Sequence, residues 1–391
     1  MVIKPKVRGF VCTTAHPLGC VKNVQEQIDY VREHQPAVDG PKNVLVIGSS
    51  TGYGLASRVV SAFGFGASTL GLFFEKEPTD SKTGTAGWYN NRGFEMAADK
   101  AGLVHKSLNI DAFSNEAREK AIDIIRDSMG PVDLVVYSLA SPRRTMPDTG
   151  EVAKSTLKPI GDAVTEKTLN TDRGDVHDIT IEPANDQEIE DTIRVMGGQD
   201  WELWIEALDQ AGLLAQGCKT VAFTYIGKRL TWPIYGHATI GKAKEDLDRA
   251  AGVINARLAD KYDGAAHVAV LKALVTQASS AIPVMPLYIS LLYKVMKEEN
   301  VHEGAIEQIY GLLVEQLYGD QPQVDEHRRL RMDLKELDDR IQSQVEALWP
   351  QVNTDNVKEL SDFEGYQKDF FKLFGFGVRG VDYEAESDPQ I

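Results

Sequence analysis

Val44-Leu-Val-Ile-Gly48-Ser-Ser-Thr-Gly52-Tyr-Gly54 is the stretch on which the fold turns, an apolar run that passes directly into glycines at 48, 52 and 54. A short apolar run ending at clustered glycines predicts a buried strand that turns sharply into a helix starting near Gly54. Glycine suits such a turn because the backbone must bend tightly and approach a ligand with no Cβ in the way. The helix that follows offers unpaired N–H groups and the positive end of its dipole, a pairing that suits a diphosphate. The spacing is GxxxGxG rather than the commoner GxGxxG of dinucleotide folds. A plain strand-to-helix turn is the competing interpretation.

Outward from that turn, further strand-like runs read Thr69-Leu-Gly-Leu-Phe-Phe74 and Val132-Asp-Leu-Val-Val-Tyr-Ser138, with others at 220–225 and 267–271. Helical patterns occupy 54–63, 117–129 and 241–261. Short, almost fully apolar strands alternating with helices predict an α/β fold, a Rossmann-type doubly wound parallel sheet covered on both faces. Residues 142–199 interrupt the series with a polar stretch rich in Thr, Asp, Glu and Pro, expected to be a lid or an accessory hairpin. Residues 325–349 predict one charged amphipathic helix with Leu330, Leu334, Leu337 and Ile341 on one face. With no internal repeat, the reading is a single enlarged domain over 1–391, with an N-terminal extension (1–40), the 142–199 insertion and a helical C-terminal extension (325–391).

Composition narrows the function. The chain of 391 residues is 42% hydrophobic and 26% charged, ordinary for a globular protein. Its net charge of −16 argues against a nucleic-acid partner, which needs a concentrated basic surface. No apolar run reaches the roughly 18–20 residues that span a bilayer, and the N-terminus lacks a secretory pattern. Cys12, Cys20 and Cys218 form no CxxC pair, and the histidines are scattered with no HExxH, so neither a disulfide framework nor a metal site is expected. A cytoplasmic protein with no membrane partner is the expectation.

The second strand runs into Phe74-Glu75. A carboxylate about twenty positions beyond the glycines can accept hydrogen bonds from the adenosine ribose and repels a 2′-phosphate, which favours NADH over NADPH. Asp111-Ala112 and Leu139-Ala140 stand at later strand ends, where ligands bind in open α/β sheets. After the fifth strand come Tyr225 and then Pro233-Ile-Tyr235-Gly-His-Ala-Thr-Ile-Gly-Lys242-Ala-Lys244. A tyrosine followed by a lysine on a helix makes a proton-donor pair, in which the ammonium is expected to lower the phenol pKa and to reach the nicotinamide ribose. Lys242 rivals Lys244, and only one can face the site because they lie two positions apart on a helix. His237 is expected to be a locally packed residue rather than a base.

At these residues the chain resembles the short-chain dehydrogenase/reductase superfamily and, within it, the trans-2-enoyl-CoA/ACP reductase family. Eight residues separate Tyr235 from Lys244, a wider gap than ordinary members of the superfamily carry. The segments His16-Pro-Leu-Gly-Cys20, Gly84-Thr-Ala-Gly-Trp-Tyr89 and Gln277-Ala-Ser-Ser-Ala-Ile-Pro-Val-Met-Pro286 extend the likeness over the whole chain.

The resemblance implies NADH-dependent reduction of enoyl-CoA or enoyl-acyl carrier protein, with Tyr235 as catalytic acid and Lys244 as its partner and cofactor ligand. It also implies substrate contact at Tyr225, which stands where carbonyl-reducing relatives have serine. Cofactor contacts would come from Gly48, Ser49, Ser50, Thr51, Gly52, Tyr53, Phe74, Glu75, Asp111, Ala112, Leu139, Ala140, Lys244, Ala273, Leu274, Val275 and Thr276. A carbonyl or alcohol dehydrogenase, and a non-catalytic NAD(H)-binding protein, are the alternatives. Arg143-Arg144 is a candidate contact for coenzyme A phosphates, and the apolar run at 281–293 for an acyl pocket. The additions outside the sheet are compatible with a monomer.

Overall fold

The run at 44–47 is an interior strand of a seven-stranded, wholly parallel sheet in a computed structural model that describes residues 1–391. In chain order the strands are β1 (Asn43–Ile47), β2 (Ser68–Phe73), β3 (His105–Asn109), β4 (Val132–Tyr137), β5 (Leu214–Thr224), β6 (Ala265–Val270) and β7 (Leu330–Arg331). Their order across the sheet is 3-2-1-4-5-6-7, so the chain reverses its winding between β1 and β4, the point where such sheets open a crevice.

Side-chain alternation explains the near-continuous apolar strands. Val44 and Val46 of β1 enter one core, whereas Leu45 and Ile47 enter the other, and Leu134/Val136 against Val135/Tyr137 divide in the same way on β4. Helices α1 (Pro17–Glu33), α2 (Gly52–Val59) and α3 (Ala86–Ala101) cover the first face. Helices α4 (Asn115–Ser128), α6 (Gln199–Gln210) and α7 (Thr239–Tyr262) cover the second. The expected fold class is observed, and no helix is long and apolar enough to cross a membrane.

The 142–199 insertion is two antiparallel hairpins, Arg143–Thr145 with Val152–Lys154 and Val164–Asn170 with Asp175–Ile181, followed by α5 (Asp186–Met196) packed on α7. It is an anchored hairpin rather than a free lid. The Thr239 amide donates to the Lys158 carbonyl at 3.0 Å and the Ile160 amide to His237 at 3.1 Å, stitching the insertion to the segment that carries Tyr235. Lys167 Nζ donates to the carbonyls of Trp349 (3.1 Å), Pro350 (3.0 Å) and Val352 (2.9 Å), tying the second hairpin to the C-terminal extension.

Residues 325–349 do not form the single helix expected of them. Leu330–Arg331 pairs with Ala269–Val270 as β7, and helix appears only at Leu334–Leu337 and again at Asp339–Leu348. The break falls at Asp338, whose extended backbone (φ −54°, ψ 132°) lets its side chain accept from the Arg340 amide and cap the second helix. Pairing with β6 buries Leu330 to 1% exposure, and that long-range partner decides against the helix. The remaining extension packs on the helix Met285–Glu298 in a third core that includes Tyr235.

Candidate active site

The glycine turn works by close approach. Gly48 has φ +88°, and a Cβ there would lie 2.1 Å from the Ser138 carbonyl oxygen. At Gly54 a Cβ would lie 1.8 Å from the Gly48 oxygen. Thr51 precedes α2 with extended backbone and no side-chain cap, so the first amides of the helix stay open to an anion.

From this turn a cleft of about 1130 Å³ runs along the carboxyl ends of the strands. Gly48, Ser50, Thr51, Gly52, Tyr53, Phe74, Glu75, Asp111, Ala112, Leu139, Ala140, Leu274, Val275 and Thr276 all line it. Three expected cofactor residues do not, Ser49, Ala273 and Lys244, and neither do Tyr225 and Tyr235. Ser49 is buried with its hydroxyl on the Leu72 carbonyl (3.1 Å), so its side chain belongs to the sheet. Ala273 lies beneath the lining and donates its amide elsewhere. Ser49 and Ala273 were expected in the cleft because a sequence segment does not show which way each residue points.

Glu75 is held at the end of β2 from two sides. Asn109 brackets its backbone with bonds of 2.9 and 3.0 Å, and Ser50 Oγ donates to its carboxylate at 2.7 Å. Gly87 leaves the space the carboxylate fills, since a Cβ there would lie 2.0 Å from Glu75 Oε1. At the opposite end Tyr53 donates to the Lys272 carbonyl at 2.9 Å, joining α2 to the segment that precedes Thr276.

The end of β5 gathers the catalytic candidates. Lys244 Nζ donates to the Phe223 carbonyl at 3.1 Å. Tyr235 is buried, with its phenol beside the Thr224 hydroxyl and the Tyr225 amide, and its ring stands edge-on to Tyr225 at 5.0 Å. The Leu271 amide donates to the Thr224 carbonyl at 3.0 Å, which sets this strand end beside the one leading into Leu274–Thr276. Lys242 instead faces solvent and pairs with Glu245 at 2.8 Å, so the rivalry between the lysines resolves toward Lys244. Exposed His237 makes no side-chain bond.

Electrostatics correct one expectation. Burial pushes the Tyr235 phenol up from its ordinary value, only partly offset by the Tyr225 amide and the Thr224 hydroxyl, so it is not lowered by Lys244. Burial takes Lys244 down to about 8, against the pull of Asp248. The phenol therefore stays protonated across the neutral range and is a donor.

Tyr225, expected to contact the substrate, has its hydroxyl engaged within the protein. Its hydroxyl donates to Glu336 Oε1 at 2.9 Å and therefore points at a buried carboxylate. Glu336 is a residue the sequence reading missed. Burial raises its carboxyl above the usual range, opposed first by Lys272. Arg144 is likewise unavailable to a substrate phosphate. It is 1% exposed and bonded to the Arg194 carbonyl (2.8 Å), Gln199 (3.0 Å) and Asp200, while Arg143 lies exposed on the cleft wall. The apolar run at 281–293 falls largely in a helix buried on every side, so it is core first.

Comparison with known proteins places these features in context. Residues 82–318 match a family profile described as the trans-2-enoyl-CoA reductase catalytic region. Residues 2–80 match the NAD(P)H binding domain of trans-2-enoyl-CoA reductase, and residues 324–386 an enoyl reductase FAD binding domain. Proteins named enoyl-(acyl-carrier-protein) reductase (NADH) are similar over the full chain. The one from Saccharophagus degradans is 63% identical over 100% of this chain and 99% of its own. That from Vibrio cholerae is 57% identical over 100% and 98%. Among solved structures, the Clostridium acetobutulicum trans-2-enoyl-CoA reductase with NADH superposes at TM-score 0.97 with 44% identity, covering 100% of this chain and 98% of that one. The Treponema denticola trans-2-enoyl-CoA reductase with NAD gives 0.95 and 47%, covering 99% and 98%.

The cradle around Gly48 and Gly54 fits a nicotinamide dinucleotide, because the uncapped first amides of α2 adjoin the cleft and glycine at 48 and 54 lets the turn close onto the Ser138 and Gly48 carbonyls. Residues 324–386 do not fit a flavin dinucleotide. Strand β7 passes into the next helix through Met332-Asp333, with no glycine turn, and Arg331, the cation that ends β7, is already taken up by the Asp333 carboxylate at 2.7 and 2.8 Å. The apolar side chains of this region, among them Ile341, Val345, Phe363, Tyr366 and Phe370, are buried in the core around Tyr235.

Proposed function

The chain belongs to the trans-2-enoyl-CoA reductase family and reduces the C2–C3 double bond of trans-2-enoyl thioesters with NADH, and we propose that Tyr235 is the proton donor that makes this reduction possible. The observation that carries the proposal is the convergence of the Tyr235 phenol and the Lys244 ammonium on consecutive residues of β5, beside the strand end that leads to Leu274–Thr276.

The dinucleotide, when bound along Gly48–Tyr53, supplies a hydride to C3 of the substrate. The C2–C3 electron pair then shifts toward the carbonyl, and negative charge gathers on the thioester oxygen. Tyr235 donates its hydrogen bond to that oxygen, where the charge exists only in the transition state and in the enolate that follows. Burial strengthens this bond by excluding water. Lys244 is anchored on the Phe223 carbonyl, one residue along the strand from the Thr224 hydroxyl that the phenol meets, and in this reading its ammonium takes the nicotinamide ribose as a ligand. The proton that completes the saturated thioester at C2 comes through the Tyr235 phenol, which solvent then reprotonates. Tyr225 contributes its ring as the wall against which Tyr235 packs.

The carrier is read as either coenzyme A or acyl carrier protein, and relatives bear names of both kinds. A cytoplasmic monomer is part of this reading. Sedimentation in dilute buffer at one protomer mass agrees with it, and a dimer mass rejects it.

Tyr235→Phe is the direct test. With NADH consumption followed on crotonyl-CoA, kcat is expected to fall by about a hundredfold or more, while NADH affinity by fluorescence titration stays at the wild-type value. Near-normal turnover would remove Tyr235 from the role.

A further inference from the structure

Glu336 is fully buried and gathers three donors from distant parts of the chain. Its Oε1 accepts from the Tyr225 hydroxyl at 2.9 Å and the Tyr288 hydroxyl at 2.7 Å, and its Oε2 accepts from the Ala273 amide at 2.6 Å. Gln342 Nε2 donates to the Glu336 carbonyl at 2.8 Å and to the Tyr288 hydroxyl at 3.0 Å, so the acceptor is itself fixed in place.

Packing alone does not explain a carboxylate here. Removing one from water is expensive unless its lone pairs are filled, and an apolar residue of similar volume would fill the same space at less cost. What the position requires is a group that only accepts. Two phenols and one amide all aim O–H or N–H groups at it, and a neutral amide side chain would turn its own N–H₂ toward one of them.

Each of the two ends reaches the site. Tyr225 is the ring that abuts Tyr235, and Ala273 is the residue from which Leu274–Thr276 enters the cleft wall. We infer that Glu336 is a positioning residue for the reduction, anchoring through the Tyr225 hydroxyl the ring against which Tyr235 packs, and through the Ala273 amide the chain that enters Leu274–Thr276, so that the Tyr235 phenol keeps its aim. The inference rests on the reading of Tyr235 as donor. It also gives the 324–386 region a role in the site that needs no flavin.

A double-mutant cycle on the full-length enzyme tests this, with kcat and KM for crotonyl-CoA, NADH affinity and melting temperature measured for Glu336→Gln, Tyr225→Phe and the double variant. Loss of one hydrogen bond to a charged group predicts a fall in kcat of about ten- to a hundredfold for Glu336→Gln. KM for crotonyl-CoA and the NADH dissociation constant should each stay within about twofold of wild type, because the fault lies in orienting the transition-state donor. Tyr225→Phe should lose a similar factor. The double variant should be no slower than the worse single by more than about twofold, since both remove the same link.

Wild-type kcat in Glu336→Gln, or losses that multiply in the double variant, overturns the inference. If Glu336→Gln does not fold, Tyr225→Phe decides, because it keeps the ring: full kcat rejects the inference, and lowered kcat with unchanged NADH affinity supports it. Tyr235→Phe, run in parallel, reads the parent proposal separately. If it is inactive while the cycle fails, only the role of Glu336 is lost.

Discussion

Lys244 holds its charge in a buried place, and this fixes a pH response. Its folded pKa of about 8 lies below the ordinary lysine value, so the unfolded chain binds that proton more tightly. The resulting penalty on stability is fully present below pH 8 and fades as pH rises toward the unfolded value. Binding runs the other way, because the ammonium is the form that can bond the ribose. KM for NADH is expected to rise as pH passes about 8, and a Lys244→Arg enzyme, charged throughout, should lack that rise; a flat wild-type profile from pH 7 to 9.5 would reject the assignment. Glu75 offers a second residue-level test. Replacing it by Ala removes the carboxylate that Ser50 orients, and kcat/KM for NADPH relative to NADH should rise by about tenfold. Tyr235, Lys244 and Glu75 were legible in the sequence because chemistry-bearing side chains stand at strand ends and at a helix start. Glu336 was not. In Leu334-Lys-Glu-Leu337 the apolar stripe predicts Leu334 inside and Glu336 outside, yet Leu334 is 46% exposed and Glu336 is 0% exposed. Its partners are 63 residues away or more for Ala273 and Tyr225, beyond any local pattern.

Elements were read well where local pattern and burial agree. The strands at 44–47, 69–74 and 132–138 are observed within a residue at each end, since both faces of β1, β2 and β4 are covered. The turn after β1 leaves no tolerance. Gly48→Ala would set a methyl against the Ser138 carbonyl at positive φ, destabilising the fold by about 1–3 kcal/mol. A lowered melting temperature together with weakened NADH binding is the expected result, and an unchanged Tm would show that the turn can relax. Legibility failed where an element depends on a remote partner. Strand β7 exists because β6 is there to pair with it, and the 142–199 hairpins take their places from contacts to α7 and to the C-terminal extension. Lys167 satisfies three carbonyls at the end of the helix Asp339–Leu348. Lys167→Met should lower stability by about 1–3 kcal/mol in urea titration, with kcat nearly unchanged. A large kcat effect at wild-type stability would mean that the hairpin takes part in turnover.

At the scale of the whole molecule, two cores flank the sheet, and a third and larger one lies outside it, built jointly by the Tyr235 segment, the helix Met285–Glu298 and the C-terminal extension. A chain cut after residue 324 would expose that core and lose β7 and Glu336 together, so it should fail to bind NADH or show a cooperative melt. Cooperative unfolding of such a fragment would mean that the first 324 residues form a unit of their own. The position of Glu336 also has a consequence during synthesis. The ribosome delivers the glycine turn, Tyr235 and Lys244 well before residue 336, so a nascent chain carries a nearly complete nucleotide fold in which Tyr235 is not yet positioned. With Glu336 in that role, full turnover is expected only once the last sixth of the polypeptide has docked, and ribosome-bound chains stalled before residue 336 should turn over crotonyl-CoA more slowly than released enzyme.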